Sequence, residues 1–448
     1  MTSRVVCAAM LGVVLSVCGL VSIFGGPISA AQEMSTDNPF FVRSSLPYQL
    51  PPFDRIDESD YLPAFERGMV DQLAEVEAIV SESDPPTFEN TLVPLERSGR
   101  LLERVAATFF SLSSADTTDA LDEILGEVAP KLSAHSDRIL LNADLFGRVQ
   151  ALYDQRDSLD LDGEARRLIE KSYVDFVRAG ALLSDTDKIR MQDINAAVAT
   201  LQTTFTQNVL DEVNASAMVV DTRAELAGLS DDQIAAAAAA AAARDLDGKY
   251  VIPLLNTSGQ PVLASLDNRA LREEISSVSL GRGSRGGEFD NREVITRIAR
   301  LRAERAAMLG YPNHAAFSLE EQTAQTVGAV NERLASLSPP AVANARREAG
   351  DLQAIAADGG TELTVAAWDW SYYTERVRAD RYAFDASQLR PYFEIDAVIE
   401  HGVFFAANRL YGLTFKERTD LPVYHPDVRI WEVFESDGAP LGLFLGDY

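Results

Sequence analysis

Apolar residues recur at intervals of three and four positions along most of this chain. In the first such stretch they are Leu62, Phe65, Met69, Leu73 and Val76. Because an α-helix completes one turn every 3.6 residues, this spacing places the apolar side chains on one face of a helix. The pattern therefore predicts a mainly α-helical protein with short polar connections. Further helices are predicted in residues 87–110, 120–142, 163–180, 184–209, 235–243, 290–308, 327–357 and 398–411.

A few short segments have the alternating pattern of β-strands instead. Residues 428–434 alternate branched or aromatic side chains with polar ones, and residues 441–445 form a second apolar run. Between them, Asp437-Gly438 supplies the positive φ angle that a tight turn requires. The sequence therefore predicts an antiparallel C-terminal hairpin whose last strand leaves one edge open. Two more short strands are predicted at residues 217–220 and 250–254.

The first 31 residues have the composition of a secretory signal peptide. Arg4 is the only charged residue in this segment, and an apolar run follows at residues 5–24. Small residues then mark a cleavage site after Ala30 or Ala31. We therefore expect a secreted or periplasmic protein. The alternative is an uncleaved N-terminal membrane anchor, since the apolar run is about as long as a membrane span.

Charge and cysteine content narrow the possible functions. The 448 residues carry a formal net charge of −28, with 46% hydrophobic and 24% charged residues. A chain this acidic lacks the basic surface that nucleic acids and anionic membranes attract, so we expect neither as a partner beyond the signal segment. Both cysteines, Cys7 and Cys18, lie in the predicted signal peptide. The mature protein is therefore expected to fold without disulfide bonds.

Catalytic motifs are absent from the local sequence. The chain has four histidines, and none lies in an H-E-x-x-H or H-x-x-E-H pattern. There is no G-x-S-x-G sequence and no cysteine outside the signal segment, so the usual nucleophile patterns are missing too. From the residues alone, no catalytic or metal-binding residue is predicted. The histidines are His135, His314, His401 and His425.

Eight short motifs, in chain order, resemble those of the thimet-oligopeptidase-like zinc metallopeptidases, in their peptidyl-dipeptidase branch. The resemblance covers essentially all of the chain after the signal segment. The motifs are NPF at 38–40, TFENT at 87–91, RGSRGGEFDN at 282–291, LGYPNHAA at 309–316, WDW at 368–370, LRPYF at 389–393, FKER at 415–418 and PVYHPDV at 422–428.

The resemblance implies a multi-helix ellipsoid divided by a deep peptide channel. Members of this family are zinc enzymes that cut short peptides, and the peptidyl-dipeptidase branch releases C-terminal dipeptides. Their zinc is held by an H-E-x-x-H helix and a glutamate from a following helix. Zinc is therefore the expected cofactor of the full-length family. Because this sequence ends at the strand before that helix, we expect the chain itself to bind no zinc.

The resemblance also implies a division into domains. Residues 32–268 correspond to an N-terminal helical domain. Residues 269–448 correspond to a helical region that leads into the start of a catalytic domain, the rest of which is missing from this sequence.

The last strand is the candidate substrate site that the resemblance provides. There, the main chain of Leu441, Gly442, Leu443 and Phe444 corresponds to a strand beside the family's zinc helix. Its backbone groups are expected to pair with an extended peptide by strand addition. The alternative is that these four residues are ordinary sheet core.

Tyr424 and His425 are candidates for lining the peptide channel. They belong to the last of the eight motifs, just before the predicted hairpin. The alternative is a structural role, since a histidine between a tyrosine and a proline is more often structural than catalytic.

The sequence is compatible with three functions. The first is the N-terminal portion of a secreted peptidyl-dipeptidase, inactive alone because the zinc motif is absent. The second is one half of a split enzyme that needs a separate catalytic half on another chain. The third is a non-enzymatic helical protein that binds short peptides. Short peptides are the expected ligand in all three.

Overall fold

The computed structural model describes residues 37–257, 259–358, 363–383 and 386–448, with only the backbone for residues 386, 387 and 390. The predicted signal peptide at residues 1–31, and the anchor that is its alternative, lie outside the described residues. Within the described ranges, no helix combines the length and the apolar composition that a membrane span needs.

The described residues form two compact units. The first unit contains residues up to 203 together with 392–448, and the second contains residues 204–391. Both are mainly helical, which confirms the predicted fold class. Helices in the first unit are α1 (Tyr61–Val80), α2 (Val93–Arg97), α3 (Arg100–Ala115), α4 (Asp119–Leu140), α5 (Ala143–Gln155), α6 (Gly163–Ala179) and the start of α7 (Asp185–Ala215).

The core of the first unit begins with the stripe that the sequence predicted on α1. Phe65 is fully buried, and its ring packs edge to face against Phe109 of α3 at a centroid distance of 5.3 Å. Gly68 lets the two helices approach closely, because a Cβ atom there would lie 2.9 Å from the backbone of Leu102. The spacing of apolar residues thus determines which face of α1 is buried, and a glycine permits the close contact.

A single helix over residues 87–110 was expected, and this prediction is wrong. A π-helical turn at Phe88–Leu92 leads into α2, and α3 starts only after Gly99. Gly99 has φ of 72°, and a Cβ atom there would lie 2.5 Å from the side chain of Gln72. Its N–H donates to the Glu75 carboxylate at 2.7 Å. The break follows from this contact with α1, which the local period cannot reveal.

The C-terminal hairpin is confirmed and is part of a larger sheet. The strands β4 (Arg429–Phe434) and β5 (Pro440–Gly446) pair antiparallel around a turn in which Gly438 has φ of 85°. A further strand, β3 (Thr414–Glu417), pairs with the other side of β4 and gives the order β3, β4, β5. Three helical segments precede this sheet: α14 (Ile395–Val398), a π-helical turn (Ile399–Phe404) and α15 (Phe405–Tyr411).

The second unit contains the end of α7 and the remaining elements. Strands β1 (Met218–Val220) and β2 (Tyr250–Ile252) pair antiparallel, as the sequence predicted. They pack with α8 (Asp231–Ala242) and α9 (Arg269–Leu280) around a core that includes Leu226 and Ile275. The other helices are α10 (Arg292–Met308), α11 (His314–Leu319), α12 (Val327–Asp358) and α13 (Trp370–Tyr382).

Candidate peptide-binding edge

Strand β5 lies at the edge of the three-stranded sheet. Its one pairing partner among the described residues is β4, so its second side carries backbone groups that no described strand takes up. An edge of this kind is a template on which another extended chain can form hydrogen bonds. β5 is therefore the part of the sheet to which a peptide could be added.

The hydrogen bonds between the strands show which β5 residues direct their backbone groups away from β4. The N–H of Arg418, directly after β3, donates to the Ile430 carbonyl at 2.8 Å, so the backbone groups of Ile430 point toward β3. Because successive residues of a strand alternate in direction, those of Trp431 point toward β5. Trp431 is paired with Phe444, whose backbone groups therefore face β4. The outward backbone groups on β5 are then those of Leu443 and Leu445.

In this register, the four residues predicted to pair with a peptide differ in the direction of their backbone groups. Gly442 is paired with Val433 and, like Phe444, uses its backbone groups within the sheet. Leu441 is the extra residue of an irregularity in the register, and its side chain is exposed. Leu443 is the one regular position of the four with outward backbone groups. Leu445, which the sequence did not single out, is the other, and only the register reveals it.

Side chains fix β5 from both faces of the sheet. On one face Leu443 packs in a cluster with Leu50 and Ile430. On the other face Phe444 packs against Trp431 at a ring distance of 5.7 Å and against Phe404 at 6.2 Å. Leu443 is partly buried and Phe444 is exposed. Their packing leaves the backbone edge open, because side chains are perpendicular to the sheet and the hydrogen-bonding groups lie in its plane.

Ion pairs connect residues in and beside the other strands of the sheet. Arg418 donates to Glu432 on β4 at 2.7 Å and to both oxygens of Asp420 at 2.8 Å. Hydrogen bonds from this guanidinium lower the pKa of Asp420 to about 2. Arg429 of β4 donates to Glu417 of β3 at 2.8 Å, and its guanidinium lies 4.7 Å from the centre of the Trp431 ring.

Tyr424 and His425 both lie just before β4, in a turn. The Tyr424 hydroxyl donates to Asp447 at 2.7 Å, and burial, together with this carboxylate, raises the pKa of Tyr424 to about 12. The Asp427 N–H donates to His425 Nδ1 at 3.2 Å, and the Val428 N–H donates to the His425 carbonyl at 3.1 Å. These two bonds are those of a turn, and both the channel-lining role and its structural alternative stay predictions.

The described residues do not fit a zinc ion. Nowhere in the described ranges do three or more His, Cys, Asp or Glu side chains lie close enough to hold a metal. His135 is buried, with Nε2 2.6 Å from the Gln72 side-chain oxygen, and burial lowers its pKa to about 4. His425 belongs to the turn before β4. The absence of bound zinc from this chain stays a prediction.

A second polar constellation, in the second unit, accounts for the Trp-Asp-Trp motif. Asp369 is fully buried, and its carboxylate accepts hydrogen bonds from Arg269 and Arg272 of α9, both at 2.8 Å. Arg272 also donates to the carbonyls of Leu266 and Asp267. Burial alone would raise the pKa of Asp369, but the hydrogen bonds from Arg269 and Arg272 hold it below the ordinary value. The motif thus supplies a structural ion pair.

Comparison with known proteins agrees with the resemblance. Residues 262–448 match the model of peptidase family M3. The chain is 43% identical over 415 residues to the dipeptidyl carboxypeptidase of Salmonella typhimurium, and the alignment covers 93% of this chain and 61% of that protein. The dipeptidyl carboxypeptidase of Escherichia coli is 41% identical, with the same coverage. Oligopeptidase A of Escherichia coli is 32% identical over 406 residues, covering 90% of this chain and 59% of that protein.

The chain thus spans about three fifths of the length of the curated relatives it matches. Its similarity to them runs through both compact units, whereas the family model matches from residue 262 onward. The matched segment and the identity of more than 40% to two dipeptidyl carboxypeptidases lead to one conclusion: the chain is similar to the thimet-oligopeptidase-like peptidases, and its residues 262–448 match peptidase family M3.

Proposed function

We propose that this chain is the peptide-binding portion of a peptidase that acts on short peptides and releases C-terminal dipeptides. Two relatives more than 40% identical to it are named dipeptidyl carboxypeptidases. The observation that carries the proposal is the open edge of β5, where Leu443 and Leu445 direct backbone groups outward. A peptide in extended conformation would form main-chain hydrogen bonds there, which favours binding with little dependence on side-chain identity.

Cleavage, in this proposal, depends on residues that this sequence does not contain. The described residues hold no group suited to zinc, and the sequence has no H-E-x-x-H motif. The chain by itself is therefore expected to bind a peptide without cutting it. In the same proposal a catalytic half supplies the metal site. The non-enzymatic peptide-binding protein is the alternative, and it is favoured if the bound peptide stays intact when such a half is present.

The Leu443→Pro variant tests the edge directly. Proline removes the outward N–H of Leu443 and leaves the bonds between β4 and β5 in place, since those belong to Gly442 and Phe444. We expect affinity for a blocked, fluorescently labelled tetrapeptide to fall about tenfold, which corresponds to about 1.4 kcal/mol. Fluorescence anisotropy measures the affinity, and a chelator is expected to leave it unchanged.

Two further variants make this test specific. Leu443→Ala removes the same side-chain packing but keeps the N–H, so its effect should be clearly smaller than that of proline. Glu417→Pro places a proline at an outward position of β3, the opposite edge, and should leave peptide affinity at the wild-type value. Equal losses from Leu443→Ala and Leu443→Pro, or no peptide binding by the wild-type chain, would contradict strand addition at β5.

We also propose that the protein is exported through the signal peptide at residues 1–31. The single charge, the apolar run and the small residues at Ala30 and Ala31 support this proposal. N-terminal sequencing of the protein from the periplasm or medium should begin at Ala31 or Gln32. Recovery of a chain that starts at Met1 in the membrane fraction would favour the uncleaved anchor instead.

We propose that the sequence divides into two domains between residues 268 and 269. The match to the family model starts at residue 262, close to that boundary, and this supports it. The compact units have other bounds, since residues 392–448 belong to the same unit as the N-terminal residues.

A further inference from the structure

One face of the β5 edge carries a single large side chain between two glycines. Side chains of a strand alternate between the two faces of a sheet, so Gly442, Phe444 and Gly446 lie on the same face. The pairing of Gly442 with Val433 and of Phe444 with Trp431 places those β4 residues on this face as well. The face that carries Val433, Trp431 and Phe444 is named the aromatic face.

The two glycines differ in what lies above them. A Cβ atom on Gly446 would lie 2.9 Å from the Trp431 ring and closer still to the Tyr448 hydroxyl, so this position is filled. A Cβ atom on Gly442 would have no other described residue within 4 Å. Gly442 is also not among the residues with positive φ, so its backbone accepts a side chain without strain. The edge therefore has room at Gly442 for a side chain that β5 does not supply.

The surroundings of Gly442 on this face are apolar. Its pairing partner Val433 is buried, and the neighbouring ring of Phe444 is 37% exposed. Within the three strands, the charged residues on this face are Arg429 and Glu417, which pair with each other at 2.8 Å. Arg429 lies four residues before Val433, away from Gly442. An apolar side chain suits the position at Gly442, since a charged one would lose water without gaining a partner.

The opposite face of the same edge is already packed. Leu443 and Leu445 are partly buried there against the cluster that includes Leu50 and Ile430. An extended peptide directs its side chains to the two faces in alternation. The room for one of them therefore lies on the aromatic face, at Gly442.

The register also determines which peptide side chain comes closest to Gly442. Gly442 and Phe444 direct their backbone groups toward β4, so each forms a non-hydrogen-bonded pair with an antiparallel strand added on the open side. Side chains approach most closely in such pairs. The peptide residue opposite Gly442 would thus place its side chain over the glycine and diagonally beside the Phe444 ring.

We propose that Gly442 and Phe444 form a side-chain subsite that selects peptides with a large apolar, preferably aromatic, residue opposite Gly442. The inference rests on the proposed function, since it specifies which peptides the β5 edge prefers. The selected side chain covers the exposed part of the Phe444 ring and removes its own apolar surface from water. In strand addition, main-chain hydrogen bonds give affinity, and sites for alternate side chains give specificity.

A positional series of peptides tests the subsite with the full chain. The probes are blocked, fluorescently labelled tetrapeptides: one contains only alanine, and each of the others contains a single phenylalanine at one of the four positions. We expect phenylalanine at one position to raise affinity about fivefold over the alanine peptide, the size of a cross-strand aromatic pair. Fluorescence anisotropy measures each affinity, and the ratio of the two affinities measures the selection.

Variants at the two residues assign the selection to this place. Gly442→Val fills the room above the glycine, and the ratio should fall below about twofold. Phe444→Ala removes the ring and should lower the ratio to the same level, whereas Phe444→Tyr keeps the ring and should retain the selection. The ratio compares two peptides on one variant, so a general loss of affinity does not change it.

A matched glycine substitution is the control. Gly147 of α5, also in the first unit, would have no other described residue within 4 Å of a Cβ atom. Gly147→Val should therefore keep the wild-type ratio, and circular dichroism should show every variant folded. Equal affinity of the wild-type chain for all the tetrapeptides, or a selection that persists in both Gly442→Val and Phe444→Ala, would overturn the subsite and leave strand addition at β5 standing. No binding of any tetrapeptide by the wild-type chain would overturn both.

Discussion

Replacing Asp369 with alanine is expected to destabilise the second unit by about 3–5 kcal/mol. The carboxylate is fully buried, and so is Arg272, one of the two arginines that donate to it. Removal of Asp369 leaves the Arg272 guanidinium in the interior without its counter-charge. Breaking a buried ion pair from one side costs this much because the remaining charge keeps its desolvation penalty and loses its partner.

The other contacts of Asp369 and Arg272 show why removing this carboxylate is expected to destabilise the unit. Arg269 donates to both oxygens of the carboxylate, and the Ala366 N–H donates to it at 3.1 Å. The Arg272 guanidinium also lies 3.9 Å from the centre of the Tyr372 ring on α13. One carboxylate thus joins α9 to the start of α13. Its removal should loosen both helices together.

Denaturant unfolding, with hydrogen exchange to locate the effect in residues 204–391, measures the loss. The control is Asp231→Ala, in the same unit, where the carboxylate is 90% exposed and its ion pair with Arg223 contributes little. The double substitution Asp369→Leu with Arg272→Met should recover part of the stability, because it leaves no charge unpaired. A loss below about 1 kcal/mol for Asp369→Ala would show that the pair is not a major support of the unit.

The pH dependence of this effect has a definite sign. The folded-state pKa of Asp369 is lower than the ordinary value, so its stabilising contribution is fully present above the unfolded-state pKa. It is lost as the pH falls through the folded-state pKa. The difference in stability between wild type and Asp369→Ala should therefore be constant near neutral pH and shrink below about pH 4.

The second large effect is expected for Phe109→Ala in the first unit, with a loss of about 3–5 kcal/mol. Phe109 is fully buried, and its ring packs against Tyr61 at 5.2 Å, Phe65 at 5.3 Å and Phe110 at 5.4 Å. Alanine would leave a cavity that three aromatic neighbours, held by α1 and α3, cannot easily close. The loss therefore combines transfer free energy with the cost of that cavity.

Phe393→Ala is the matched control for Phe109→Ala. It removes the same atoms in the same unit from a side chain that is mostly exposed, so the free energy of unfolding should change by no more than about 0.5 kcal/mol. Equal effects of the two substitutions on unfolding would mean that the cluster around Phe109 is not the centre of the core. Urea denaturation followed by far-ultraviolet circular dichroism distinguishes the two results.

Much of the fold could be predicted from local patterns. The start of α1, the capping of α7 by Ser184 and Asp187, and the turn at Gly438 all depend on residues close together in the chain. Local hydrogen bonds and the period of apolar residues determine such features, so the sequence displays them.

Features that depend on contacts between distant residues were either not predicted from the sequence or predicted wrongly. The break at Gly99 depends on Gln72 and Glu75 of another helix. Strand β3 is only four residues long and mostly exposed, so its alternation gives a weak signal until β4 pairs with it. The role of Leu445 follows from the register with β4. Each of these requires a contact partner that sequence spacing does not identify.

The amino-acid sequence by itself determined the helical class, the C-terminal hairpin and, through its motifs, the family to which the chain is similar. Only the tertiary structure decided which backbone groups of β5 face outward and that Asp369 is neutralised by Arg269 and Arg272. The physical reason is the range of the forces involved: helix periods and turns arise from neighbouring residues, whereas register, charge pairing and exposure depend on what the rest of the chain places beside them.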